Sequence, residues 1–173
     1  MVVIIRDATE EDLPAIVGIY NESIPGGAAT ADLKPITVES RREWFRDFDP
    51  ERRPCWVAEE AGEILGCVYL RSFYGDRPAY DETAEISTYL SADAQGKGLG
   101  TLLKEKMIAE CPRLGVENLL SFYFDHNEAS KRINGKLGFE TAGHLTAIAN
   151  VFGEKRGLVI GILRVSDPRN FPD

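Results

Sequence analysis

Gln95-Gly96-Lys97-Gly98-Leu99-Gly100 lies between a stretch that reads as a strand, about Thr83 to Leu90, and one that reads as a helix, about Leu99 to Ala109. Glycine lets the backbone turn tightly and come close to a ligand. The first N–H groups of a helix have no partner within it, and with the helix dipole they favour an anion. A pyrophosphate held on backbone amides needs no array of arginines, which suits an acidic chain. Other readings of the stretch compete. A P-loop requires G-x-x-x-x-G-K-[ST], which is absent. A dinucleotide fingerprint requires G-x-G-x-x-G, and Thr101 stands where its third glycine belongs. The acidic residue expected about 20 positions on falls only on Glu117, too early on the next strand. A glycine-rich turn without a ligand is the bland alternative.

Working outward, the chain alternates strand and helix signals. Val2 to Arg6 is an apolar β-rich run. Thr9 and Asp12 have capping-box spacing ahead of Leu13, Ile16, Val17 and Tyr20, which recur at helical period. Ile24 to Ile36, rich in Gly, Pro and small residues, reads as a long loop, and Val38 to Phe48 as a second helix with Trp44, Phe45 and Phe48 on its buried face. Cys55–Glu59 and Ile64–Arg71 read as a hairpin around Glu60-Ala61-Gly62-Glu63. An aromatic loop (Phe73, Tyr74, Tyr80) leads into the strand at Thr83. Leu119–Phe124 is a strand and Glu128–Leu137 a short helix stopped by Gly138. Strands at about Phe139–Ala147 and Leu158–Val165 close the chain. Hairpins combined with one strand–helix–strand crossover predict an α/β (α+β) mixed sheet flanked by helices.

The 173 residues fit one domain, residues 1–173 with a core of about 3–165, with no repeat or linker. A chain of this length buries roughly two-thirds of its surface and needs no disulfide or metal staple. The net charge of −8 argues against nucleic acid as a ligand. Gly96 to Lys136 is nonetheless +2 while the remainder is −10, which places relative positive charge around the glycine turn. No run approaches the roughly 18 apolar residues of a membrane span, and no signal peptide is read at the N-terminus. The 3 scattered cysteines, Cys55, Cys67 and Cys111, argue against disulfides and for a cytoplasmic setting. His126 and His144 have no Cys or carboxylate at ligand spacing, so no metal is expected.

Gln-x-x-Gly-x-Gly at Gln95, Gly98 and Gly100 resembles the acyl-CoA pyrophosphate motif of GNAT N-acetyltransferases. Asn127-Glu128-Ala129-Ser130 followed by Leu137-Gly138-Phe139 resembles the N-x-A-S…L-G-F element of that superfamily. Thr83 to Tyr89, together with Ile5–Thr9 and Ile19–Asn21, is similar to the phosphinothricin acetyltransferase branch. The resemblance runs from about Ile4 to Arg164. It implies a splayed sheet that opens between the strands at 83–90 and 119–124 to admit acetyl-CoA, transfer of acetyl to a small amino-acid-like amine, and a homodimer in which Val151 to Gly153 approach the neighbouring pocket. Gln95, Gly96, Lys97, Gly98, Leu99, Gly100 and Thr101 would hold the pyrophosphate. The backbone of Thr88, Tyr89 and Leu90 would pair with the pantetheine arm, and Asn127 and Ser130 would bind CoA from the last helix.

Acetylating an amine requires the amine neutral, the carbonyl polarised and the thiolate released. A general base contributes about 10²–10⁴-fold, and Glu85 is the candidate. Phe73, Tyr74, Arg77 and Ser87 would line the acceptor pocket, with Arg77 suited to hold a carboxylate in bidentate fashion. Ile24 to Asp32 would be the lid. Many GNAT members carry a Tyr where this chain has Asn134, and Asn cannot act as a general acid; water would serve, or CoA would leave as an unassisted thiolate. Rival readings are an acyl-CoA-binding sensor without catalysis, a dinucleotide-dependent oxidoreductase, and an acetyltransferase for unrelated amines such as polyamines.

Overall fold

The computed structural model describes residues 2–166. Seven strands form one sheet in the order β1-β2-β3-β4-β5-β7-β6. They are β1 (Ile4–Asp7), β2 (Cys55–Glu60), β3 (Glu63–Ser72), β4 (Thr83–Leu90), β5 (Asn118–Phe124), β6 (Glu140–Val151) and β7 (Glu154–Arg164). The helices are α1 (Leu13–Ser23), α2 (Val38–Arg46), α3 (Leu99–Glu110) and α4 (Glu128–Lys136). Every strand pairing is antiparallel except β4 with β5. That single parallel pair is joined by the α3 crossover, as parallel neighbours require.

Strand alternation sorts the core into two layers. Cys67 and Tyr69 of β3 point toward α1 and α2, where Leu13, Ile16, Val17 and Phe45 pack with Cys55 and Val57. Val68 and Leu70 point the other way, joining Leu99, Leu103, Met107 and Ile108 of α3 with Ala84, Ile86, Leu119 and Leu163. Thr9 and Asp12 act as their spacing predicts: the Thr9 N–H donates to Asp12 Oδ2 at 2.8 Å, and Arg6 clamps the same carboxylate at 2.7 and 2.8 Å. This hydrogen bonding holds the Asp12 carboxyl below its ordinary range.

The last two strands depart from the sequence reading. β6 and β7 reach further toward each other than 147 and 158, meeting in a two-residue turn at Phe152-Gly153, both with positive φ. Most of β6 is exposed on both faces, so no side of it shows the alternation that would have marked its end.

β4 and β5 pair only over three rungs, Thr83↔Asn118, Ala84↔Leu119 and Glu85↔Leu120. Beyond Glu85, β4 stays with β3 as far as Leu90↔Gly66, while β5 stays with β7 as far as Phe124↔Leu158. The sheet therefore splits into a V with its apex at Glu85 and Leu120. Gly66 makes the far limb of β4 possible: a Cβ there would lie 2.7 Å from the Tyr89 carbonyl oxygen and 2.5 Å from Leu90 Cδ2. We expect Gly66→Ala to cost about 1–3 kcal/mol in urea unfolding, as an overpacked site does; a stability unchanged from wild type would show that Tyr89 and Leu90 are not held at that distance.

Candidate functional site

The V is lined by β4 on one side and β5 on the other, with the glycine turn at its mouth. Gly96 and Gly98 adopt φ of +73° and +84°, and no atom lies within 4 Å of where their Cβ would be. The need for glycine there is conformational, and open space lies over the turn. Gly98 is the N-cap of α3 and offers no side chain to the first N–H groups of the helix. Gln95 Nε2 donates to the Leu90 carbonyl at 3.3 Å, tying the turn to the end of β4. Lys97 is exposed, Leu99 is in the core and Thr101 is half-buried, so Leu99 has only backbone to give a ligand. Gly100 faces Leu90 and Ile133, bringing α3, β4 and α4 together.

Glu85 is half-buried at the apex, paired in register with Arg71 on one side and Leu120 on the other. Burial pushes its carboxyl above the ordinary range, while the nearby Arg71 pulls it back. Arg71 is in turn held by Asp47 at 3.3 Å and the Trp44 carbonyl at 3.3 Å. Further along β4, Ser87 lies across from Tyr69. The Thr88 hydroxyl is buried without a hydrogen-bond partner. An unsatisfied buried hydroxyl is costly. On a strand edge with no neighbour, it fits a site that takes a further extended chain carrying polar groups. The pantetheine arm of acetyl-CoA is such a chain, so the residues present fit it.

On the α1–α2 face, Tyr20, Trp44, Tyr69 and Tyr89 wall a narrow apolar cleft. Tyr20 meets Tyr89 edge-on at 5.0 Å, and Arg41 lies over Tyr20 and Trp44 at 5.2 and 5.4 Å. Phe73, Tyr74 and Tyr80 form a separate cluster on the exposed loop after β3, with Arg77 over Tyr74 at 5.7 Å. That loop is pinned by Arg52 to Asp76 and Asp81 at 2.8 and 2.7 Å.

The segment 24–32 is fastened rather than loose. Thr30 is buried, and Tyr20 Oη lies 2.5 Å from its hydroxyl and donates to Asp32 at 2.5 Å. Asn127 caps α4 by accepting from the Ser130 N–H at 3.0 Å and donates its amide to the Ala28 carbonyl at 3.0 Å. His126 Nε2 lies 3.0 Å from the Gly27 carbonyl. Asn127 thus serves as helix cap and loop tether, and a part in CoA binding would come on top of both. Val151 is buried, with its Cγ1 3.1 Å from where a Gly27 Cβ would be, whereas Phe152 stays exposed.

Three features escaped the sequence reading: Arg71 opposite Glu85, the aromatic cleft with Arg41, and Lys104. Lys104 carried a signal. It interrupts the apolar stripe of α3 between Leu103 and Met107, on the same face as Gly100 one turn earlier. The cysteines are buried, and burial pushes the Cys67 and Cys111 thiols up to about 12, which leaves no nucleophilic thiolate there.

A family model described as "Acetyltransferase (GNAT) domain" matches residues 3–140. The Bacillus subtilis protein YwnH is 40% identical over 157 residues, covering 90% of this chain and 95% of its own. The L-methionine sulfoximine/L-methionine sulfone acetyltransferase of Pseudomonas aeruginosa is 33% identical over 172 residues, covering 97% of this chain and 98% of its own. The crystal structure of a GNAT superfamily phosphinothricin acetyltransferase from Sinorhizobium meliloti in complex with AcCoA superposes with a TM-score of 0.87 at 30% identity, covering 94% of this chain and 88% of that one.

Proposed function

The chain belongs to the GNAT acetyltransferase family, and we propose that it moves acetyl from acetyl-CoA to the primary amine of a small amino-acid-like acceptor of the phosphinothricin, methionine sulfone or methionine sulfoximine type. The observation that carries this reading is the split between β4 and β5, with a half-buried carboxylate at its apex and a glycine turn at its mouth. The names of the relatives support the acceptor class. The protein acts as a single domain in the cytoplasm and as a homodimer, with exposed Phe152 rather than buried Val151 reaching toward the neighbour.

Acetyl-CoA supplies the activated acyl group as a thioester. The backbone N–H groups from Gly96 to Thr101 hold the pyrophosphate, and Thr88, Tyr89 and Leu90 hold the pantetheine arm along the free edge of β4. A backbone N–H at Tyr89 or Leu90 polarises the thioester carbonyl and takes up its developing negative charge. Asn127 and Ser130 add contacts from α4. Glu85 removes a proton from the acceptor ammonium, directly or through water, and its raised carboxyl makes it a better base than an exposed glutamate. Arg71, across from it on β3, favours the ionised form of Glu85 against the effect of burial. Arg77, backed by Phe73 and Tyr74, binds the acceptor carboxylate, with Ser87 beside Glu85 on the same face of β4.

The test is CoA release with acetyl-CoA and a panel holding phosphinothricin, methionine sulfone, methionine sulfoximine, ordinary amino acids and polyamines. We expect turnover with the amino-acid analogues and a fall of about 10²–10⁴-fold in Glu85→Gln. Turnover with polyamines alone would discard the acceptor class. Acetyl-CoA binding with no acceptor turned over would favour a non-catalytic sensor.

The raised carboxyl also fixes the sign of the pH dependence. A base must be ionised, so kcat/KM rises as pH increases through the Glu85 pKa, and that limb lies above the ordinary glutamate value of about 4.3. Glu85→Gln should flatten the limb; an unchanged limb in the mutant would assign it to another group.

A further inference from the structure

Lys104 is the most deeply buried cation in the described chain apart from Arg53, at 6% exposure. Its Nζ donates to Asn134 Oδ1 at 2.9 Å and to Ser121 Oγ at 3.3 Å, and it lies 5.7 Å from the centre of the Phe139 ring. Asn134 Nδ2 donates to the same Ser121 hydroxyl at 3.0 Å, closing a triangle across α3, β5 and α4. All the oxygens in this triangle are neutral, and among the described residues no carboxylate forms an ion pair with Lys104. An ammonium has three donors, so one remains beyond Ser121 and Asn134. Burying a charge without a counter-charge is expensive, and the cost shows as an ammonium pushed down to about 8 by burial alone. It still carries its proton at pH 7.

The position of this cation in the fold gives it a use. Ser121 is the residue of β5 directly after Leu120, where pairing with β4 ends. The triangle therefore sits at the apex of the V, on the α3 side. The groups around it supply no anion of their own. β4 turns Ala84, Ile86, Thr88 and Leu90 to that side, and none of them titrates. From β5 the next residue on the same face is Tyr123, whose phenol is raised by burial and so stays neutral. From α4, Glu128 meets Lys131 at 4.0 Å and lies exposed, away from the triangle. On α3 itself, Glu105 is paired with Lys136 at 3.8 Å. The unpartnered Thr88 hydroxyl is on the same face of β4. A buried positive charge at the apex and an unsatisfied hydroxyl further along β4 thus lie on the same side of the sheet.

We infer that Lys104 is the cation against which the CoA thiolate forms, held in place by Ser121 and Asn134. As the C–N bond forms and the C–S bond breaks, the electron pair of the broken bond goes to sulfur. Glu85 having taken the ammonium proton, the second proton on the attacking nitrogen leaves to water, and Lys104 keeps its own proton while the sulfur takes the negative charge beside it. The inference rests on the acetyltransferase reading. It replaces the water or unassisted departure expected from Asn134 with a role for Asn134 as the residue that orients the lysine.

The test uses the whole chain and free CoA. Calorimetry first establishes that CoA binds, and the ultraviolet absorbance of the thiolate is then followed with pH for free and bound CoA. A cation beside the sulfur should lower the bound thiol by about one unit or more relative to free CoA. Lys104→Met, which keeps the length and removes the charge, should abolish that shift. Asn134→Asp, which neutralises the lysine with an adjacent carboxylate while leaving it present, should abolish it too. Both should reduce turnover with acetyl-CoA by about 10²-fold, with little change in CoA affinity at low pH, where the thiol is neutral. A bound thiol that titrates with or above free CoA overturns the inference, as does a shift that survives in either folded variant. Failure of wild type to bind CoA would instead overturn the proposed function, and this inference with it.

Discussion

The parting of β4 from β5 after three rungs is the constraint on which the molecule depends. A parallel pair gives up its ladder only if each strand finds another partner, and here each does: β4 keeps β3 and β5 keeps β7. Beyond Glu85, the side of β4 turned away from β3 is then a free strand edge. The helix crossover linking the two strands leaves β4 at its unpaired end, and that places the glycine turn at the open end of the gap. Glu85, Ser121 with its partner Lys104, and Thr88 all lie at or just beyond the point where the strands part, so they are best understood together.

Most of this frame was legible in the sequence. The glycine turn was readable because φ values of +73° and +84° demand glycine and leave a mark in the residues themselves. Strands β2 to β5 were readable because each buries at least one face, and burial writes alternation or a solid apolar run into the chain. The length of β6 was not, since a strand exposed on both sides has no reason to alternate. The resemblance to the acetyltransferases was carried by short motifs at fixed spacing, which the match over residues 3–140 then supported across most of the chain.

The acceptor side was less legible, for a physical reason. Arg71 and Glu85 are 14 positions apart and meet only through strand register, and Tyr20, Arg41, Trp44, Tyr69 and Tyr89 come from four elements. No local pattern announces such a gathering. Arg77 was singled out by its place before the strand, yet its contact in the structure is the ring of Tyr74 on an exposed loop. Lys104 was visible as a charge in an apolar stripe, but its partners on β5 and α4 were not. The loop at 24–32 was read from its composition as a lid, and composition says nothing of the Tyr20, His126 and Asn127 contacts that hold it.

Those contacts have a mechanical consequence. The loop grows out of α1, which packs on the β1–β4 half of the sheet, while His126 and Asn127 belong to the β5–β7–β6 half. The two halves share three rungs at one end of the gap and are lashed together through Gly27 and Ala28 at another point. The protein is therefore less a hinge than an arch with a tie-beam. Spreading of the limbs is resisted by two hydrogen bonds acting at a distance from the apex, where their leverage is greatest. A molecule entering between the limbs meets walls whose separation is set in advance, so the width of the slot is a property of the folded chain and not of what fills it.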